Sequence, residues 1–301
     1  MGVRATGIGW VAGMAVLAVL VVGGMAWVTG AGGEEDARAA PAALPREITS
    51  SEGRDLYRAE RVAERDCMTR LGFQVVLTPD RAPDRARSFA FVVDDVAWAR
   101  RHGYGREFER ATDAGRASDP NEKYIRGLSP QRRAAALRAY NGDPANGVTV
   151  RLPSGGTIGH SVEGCGSSAE RTLYGDYETW YRANKIDQDL VGVSHRRVRQ
   201  DPEFRTATAR WAECAHAAGL PYPTPEALRA ALPASAPAAT EIRYAVAEAT
   251  CAGSTGLAQK AADLKQRYLD ELRVEHRDAV VTARQRRLDA LPIAQTLLAS
   301  Q

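Results

Sequence analysis

In the stretch WAECAHAAG, Trp211–Gly219, a cysteine stands two residues before a histidine, a pairing that could serve a metal, a nucleophile or a disulfide. Phe204, Ala207, Trp211, Cys214 and Ala218 share one helical stripe, since neighbours on a helix lie three or four residues apart. His216 therefore faces another side, and a regular helix cannot bring Cys214 and His216 to one metal. No CxxC, HExxH or helically spaced histidine pair accompanies them, so neither a metal centre nor a cofactor is expected. A nucleophilic cysteine needs a free, activated thiol. The four cysteines, Cys67, Cys165, Cys214 and Cys251, are even in number, and in an exported chain they read first as two disulfides, with three possible connectivities.

Other chemistry is sparse. There is no GxSxG elbow, no GKS or GKT phosphate loop and no GxGxxG, and the glycines of PSGGTIGH suit a hairpin turn. Asp94 and Asp95 could do acid/base work on a glycan, but adjacent acids at the start of a helical run more often cap it. His160 closes the hairpin as a surface or packing residue, and His102, His195 and His276 sit beside arginines on helices. The basic clusters SHRRVRQ, Ser194–Gln200, and ARQRR, Ala283–Arg287, could meet anionic wall polymers or headgroups; the alternative is that they are solvated helix faces. No catalytic residue is assigned, and an enzyme is not the favoured reading.

These residues belong to a chain of 301 residues, 44% hydrophobic and 26% charged, long enough for one large or two small cores. A net charge of +3 demands no nucleic-acid partner. Arginine abounds while lysine occurs only at Lys123, Lys185, Lys260 and Lys265, a bias of GC-rich genomes that carries no functional weight. Ile8–Val28 holds no charge over its 21 residues and as a helix spans about 32 Å, the thickness of a bilayer core. Trp10 and Trp27 mark its ends; Arg4 precedes it, while Glu34, Glu35 and Asp36 follow it, an arrangement that keeps the N-terminus inside. The competing reading is a cleaved signal peptide, with small residues at Thr29–Ala31 but an apolar run longer than usual. Either way the remainder is exported.

Residues 1–30 are thus expected as an anchor and 31–50, with two prolines and no apolar period, as a flexible linker. Residues 51–175 should form a helical half with a hairpin near 148–161, and 176–301 a second helical half ending in a long helix. Leu56, Ala59, Ala63, Cys67 and Leu71 define a first helix that Gly72 stops. Ser129-Pro130, Asp201-Pro202 and Thr224-Pro225 each supply a cap and a first-turn proline. Val148, Val150 and Leu152 alternate before the PSGG turn, and FQVVL, Phe73–Leu77, is a second strand or a buried connection. Ile242–Ala249 reads as a buried helix, and Thr255–Leu288 as one helix of about 51 Å.

ERDCMTRLGF and WAECAHAAGL both place Gly and a large apolar residue after a cysteine, and EGCGSS resembles EATCAGS. The match suggests a duplication and pairs Cys67 with Cys165 and Cys214 with Cys251. Three further segments, LSPQRRAAALRAYNG, GCGSSAERTLYGD and AVAEATCAGSTGL, resemble a family of exported, mostly helical four-cysteine proteins of high-GC Gram-positive bacteria, over roughly Leu56 to Leu288. The resemblance implies a shared architecture and an extracytoplasmic location, and carries no activity. The expected protein is mainly α: an N-terminal transmembrane helix, then a disulfide-stabilised helical ectodomain with one small β-hairpin. Its expected role is a non-enzymatic binding module of the cell envelope, anchored by residues 8–28 and meeting an envelope protein or wall component. The alternative is a peptidoglycan hydrolase or an accessory to one.

Overall fold

The computed structural model describes residues 43–78 and 87–301. The apolar run Ile8–Val28 lies outside the described residues, and no described helix is long and apolar enough to cross a membrane. Leu44–Gln301 forms one compact unit. Its helices are α1 (Ser50–Arg70), α2 (Val96–His102), α3 (Arg106–Ala117), α4 (Pro120–Gly127), α5 (Pro130–Asn141), α6 (Cys165–Tyr174), α7 (Tyr177–Gln200), α8 (Pro202–Ala217), α9 (Pro225–Ala230), α10 (Ala238–Ser254), α11 (Leu257–Glu275) and α12 (Arg277–Ala299). Strands β1 (Gly147–Arg151) and β2 (Thr157–Ser161) pair antiparallel, with Val148 opposite His160.

Local chemistry sets the helix ends. α1 opens on a capping box: Glu52 N–H donates to Thr49 Oγ1 at 3.2 Å and Thr49 N–H donates to the Glu52 carboxylate at 2.7 Å. The hydrogen bond from Arg46 holds the Glu52 carboxyl down at about 2. Ser129, Asp201 and Thr224 cap α5, α8 and α9, each followed by proline. α1 and α8 end alike: Phe73 N–H reaches Met68 O and Leu220 N–H reaches Ala215 O, both at 2.9 Å, across Gly72 and Gly219 at φ 75° and 78°.

α7 is the central element, flanked by α11, α12, α6 and β1. Two larger cores flank it. One gathers around Trp211, with Phe204, Leu228, Leu257 and Leu264 from α8, α9 and α11. The other gathers Leu56, Leu173, Tyr174, Trp180 and Ala290 from α1, α6, α7 and α12. Val148 and Val150 press the hairpin onto Tyr177 and Tyr181 of α7.

The four cysteines form Cys67–Cys165, joining the end of α1 to the first turn of α6, and Cys214–Cys251, joining α8 to α10. Two disulfides point to an oxidising, extracytoplasmic environment. Close backbone approach helps place Cys165: a Cβ on Gly164, at φ 96°, would lie 2.5 Å from Gly142 N. The duplicated appearance reaches only as far as the helix ends, because Cys165 begins a helix whereas Cys251 lies near the end of one.

Two expectations are corrected and one open choice is resolved. The continuous helix over Thr255–Leu288 breaks at His276, φ −115° and ψ 33°; the bend lets Leu272 and Val280 pack together on Leu190 and Val193 of α7. Of the two readings of Phe73–Leu77 the connection holds and the strand does not, although only Phe73 is fully buried, beside Met68 and Cys165; the Asn121 side chain satisfies both the N–H and the carbonyl of Val76, at 2.8 and 2.9 Å. The last residues of the expected linker, Leu44–Thr49, belong to the folded unit: Leu44 packs on the core of α7, α11 and α12, and Ile48 on that of α1 and α12.

α10 contains a fully buried carboxyl, Glu248, with 0% exposure. It accepts from Val93 N–H at 2.8 Å, Tyr104 Oη at 2.9 Å and Arg229, so one carboxylate ties α9 and the Phe89–Tyr104 segment to α10. Replacing Glu248 with alanine leaves Tyr104 and the Val93 N–H without their acceptor and Arg229 with only the Phe89 carbonyl, and should cost about 3–5 kcal/mol in urea unfolding. Glu248→Gln should cost less, because it keeps an acceptor. All four thiols should resist alkylation until reduced. Serine replacement of the pair separated by 98 residues should cost about 5 kcal/mol, against about 4 for the pair separated by 37, from loop-closure entropy.

Candidate functional site

A group of mutually interacting ionisable side chains lies between α1 and α6. Glu60 and Glu64 stand one turn apart on α1, and Glu170 faces them from α6. Each carboxylate accepts a hydrogen bond from a neighbouring helix: Glu60 from Tyr174 Oη, Glu64 from Tyr140 Oη at 2.9 Å, and Glu170 from Trp180 Nε1 at 2.8 Å. The Tyr174 and Trp180 rings stack at 3.7 Å, which fixes both donors.

Burial pushes the Glu60 carboxyl up to about 7; Tyr174 opposes the shift, and Glu170 and Glu64 add to it. Burial likewise raises Glu64, against Arg61 and Tyr140, and Glu170, against Trp180, Lys185 and His160. A carboxyl that holds its proton near neutrality can act as a general acid. Desolvation beside these carboxylates also raises the phenols, Tyr140 to about 12 and Tyr174 further.

His160 extends the group from β2. Its Nδ1 lies 2.9 Å from both the Ser161 carbonyl and the Tyr177 hydroxyl, and 3.3 Å from Ser167 Oγ. Ser167 is fully buried and donates to Ser161 O at 2.5 Å, so it serves as a structural hydroxyl and not as a nucleophile. Sequence reasoning missed this cluster. Glu60 and Glu64 look like a solvated helix face until α6 is laid against them.

A second feature is a cleft of about 270 Å³ between α7, α11, α12 and the segment before α1. Its apolar wall is Ile48, Val191 and Leu269; its polar wall carries Arg273, Arg284 and Arg287 with Glu47 and Asp187. Arg284 donates to Pro45 O at 3.1 Å and to Glu47 Oε1 at 2.6 Å, and Arg273 reaches the same oxygen. Arg287 pairs with Asp187 at 2.8 Å and with the Asn184 side chain at 2.7 Å.

The residues singled out in the sequence fall as follows. Cys214 is in a disulfide, and His216 is exposed on α8. Asp95 caps α2, accepting from Trp98 N–H at 2.8 Å, and pairs with Arg87, as does Asp94. His102 meets Glu107, and His276 forms the bend between α11 and α12. His195 packs on the Phe91 ring at 5.0 Å; burial lowers its pKa, with Lys265 and Arg199 adding to the effect. Both basic clusters are largely committed to internal contacts. Arg197 pairs with Glu275 and Arg199 donates to Ala90 O, while Arg284, Arg286 and Arg287 bond Glu47, Tyr174 O and Asp187. Among the described residues no group of three or more His, Cys, Asp or Glu is placed to hold a metal ion.

The carboxylate cluster makes stability depend on pH. The fold holds the Glu60 proton up to about 7 against an ordinary value of 4.5. Its contribution is therefore complete below about 4.5 and lost as pH rises through about 7. The loss is on the order of 3 kcal/mol for a shift of this size. Urea unfolding of Glu60→Gln between pH 5 and 8 should show a flatter profile than the parent; an unchanged slope would remove Glu60 as its source.

Comparison of the chain with protein-family models, curated proteins and solved structures found no match.

Proposed function

We propose that this protein is a membrane-tethered, extracytoplasmic binding module of the cell envelope, held by residues 8–28 and facing outward. The observation that carries the reading is the cleft beside Leu44–Ile48, where an apolar wall and three arginines converge on helices braced by the molecule's core. Binding sites combine those properties: apolar area for affinity and a few fixed polar groups for orientation. Its partner is an envelope protein or a wall component. The two disulfides support the location, and the resemblance to exported four-cysteine proteins agrees with it.

A second reading, a peptidoglycan hydrolase or an accessory to one, is favoured by one observation: Glu60 is a partly buried carboxyl held near 7 beside two others. Glycosidases need such an acid together with a second, ionised carboxylate.

Purified full-length protein in mild detergent should pellet with isolated envelope at low salt, and Val191→Trp, which fills the cleft from an exposed helix position, should abolish the effect. Failure of the parent to pellet would overturn the binding reading. Clearing of wall material in a gel overlay, lost in a folded Glu60→Gln variant, would replace it with the hydrolase.

A further inference from the structure

We infer that the cleft beside Leu44–Ile48 receives a short aliphatic carboxylate, the chemistry found at the C-terminal residue of a peptide. The inference rests on the reading of that cleft as the partner site. Volume comes first. At about 270 Å³ the cleft falls just below the range of about 300–1,000 Å³ typical of ligand pockets, which limits its occupant to a fragment of amino-acid size.

Charge comes second. Three guanidinium groups and two carboxylates line the cleft, and Arg273 also pairs with Asp270 at 3.2 Å, so the arginines are balanced and an incoming anion must take the place of a resident carboxylate. Arg273 and Arg284 converge on a single oxygen, Glu47 Oε1. The two guanidinium groups are the fixed partners, with side chains 19% and 10% exposed, whereas the Glu47 side chain is 60% exposed. Glu47 thus already demonstrates the chemistry that the arginine pair accepts: a carboxylate reaching in from the solvent side. Guanidinium matches a carboxylate in shape as well as charge.

The apolar part of the lining decides among anions. Val191, 40% exposed, and Leu269 and Ile48, half-buried, add apolar surface to the same cleft as the arginines. Inorganic phosphate or a polyanion gains nothing from the apolar lining and carries more charge than the Glu47 carboxylate it would replace. A monocarboxylate with a small aliphatic group uses both walls. Gln188, also on the lining, offers an amide that can donate to or accept from a peptide bond.

The test is calorimetric titration of full-length, oxidised protein in detergent with N-acetylalanine, its primary amide, propionate and inorganic phosphate. The expected result is saturable binding of N-acetylalanine with a Kd of millimolar order and at least about tenfold weaker binding of the amide and of phosphate. Val191→Trp should lose the binding at an unchanged melting temperature, and Glu47→Gln, which removes the competing carboxylate, should tighten it about threefold or more. Propionate distinguishes the source: tighter binding of N-acetylalanine indicates a peptide end, equal binding a simple short-chain acid, and either supports the carboxylate class. No saturation, equal binding of the amide or of phosphate, or full binding by Val191→Trp would overturn the inference. Envelope pelleting that persists without carboxylate binding would leave the binding-module reading standing and remove only this one; carboxylate binding without pelleting would do the reverse.

Discussion

α7 must be covered on several sides at once. Tyr177, Trp180, Tyr181, Leu190, Val193 and Val198 are all buried along its length, and no single neighbour can shield so wide an apolar surface. The hairpin takes the tyrosines, α6 takes Trp180 through the Tyr174 stack, and the bent pair α11–α12 takes Leu190 and Val193. The break at His276 sits between Leu272 and Val280, which pack on this patch from the two helices on either side of it. α12 can then reach α1, which closes the molecule around α7.

Polar groups inside this frame are handled by one device used repeatedly. A carboxylate is seated between helices and given donors from several directions, as at Glu248 and Asp201. Asp201 shows the balance: burial drives its pKa upward, but Tyr268, two backbone N–H groups and Arg267 together hold it below the usual value. At Glu60 the donors are fewer and burial prevails. The same chemistry therefore yields a permanent charge at one place and a near-neutral titration at another, according to the number of donors the neighbouring helices supply.

Legibility in the sequence followed the range of the interaction. Thr224-Pro225, Asp201-Pro202 and Ser129-Pro130 mark helix starts because cap and proline act within one turn, and Val148, Val150 and PSGG mark the hairpin for the same reason. Gly72 is readable as a stop because its positive φ is a local requirement. Glu60, Glu64 and Glu170 were unreadable, since a glutamate pair one turn apart looks the same on a wet face as on one covered by another helix. Glu248 was hidden within a run of apolar residues. Arg273, Arg284 and Arg287 resembled surface charge until Glu47, more than two hundred residues upstream, was placed against two of them.

The order of the disulfides has a consequence for biogenesis. Cys67 joins the next cysteine along the chain, Cys165, and Cys214 joins the next, Cys251. A chain whose exported part crosses a membrane beginning on the Cys67 side presents its thiols in that order, so oxidation in sequence of emergence joins the native partners directly. Such a chain needs an oxidant on the far side of the membrane but no enzyme to reshuffle its bonds.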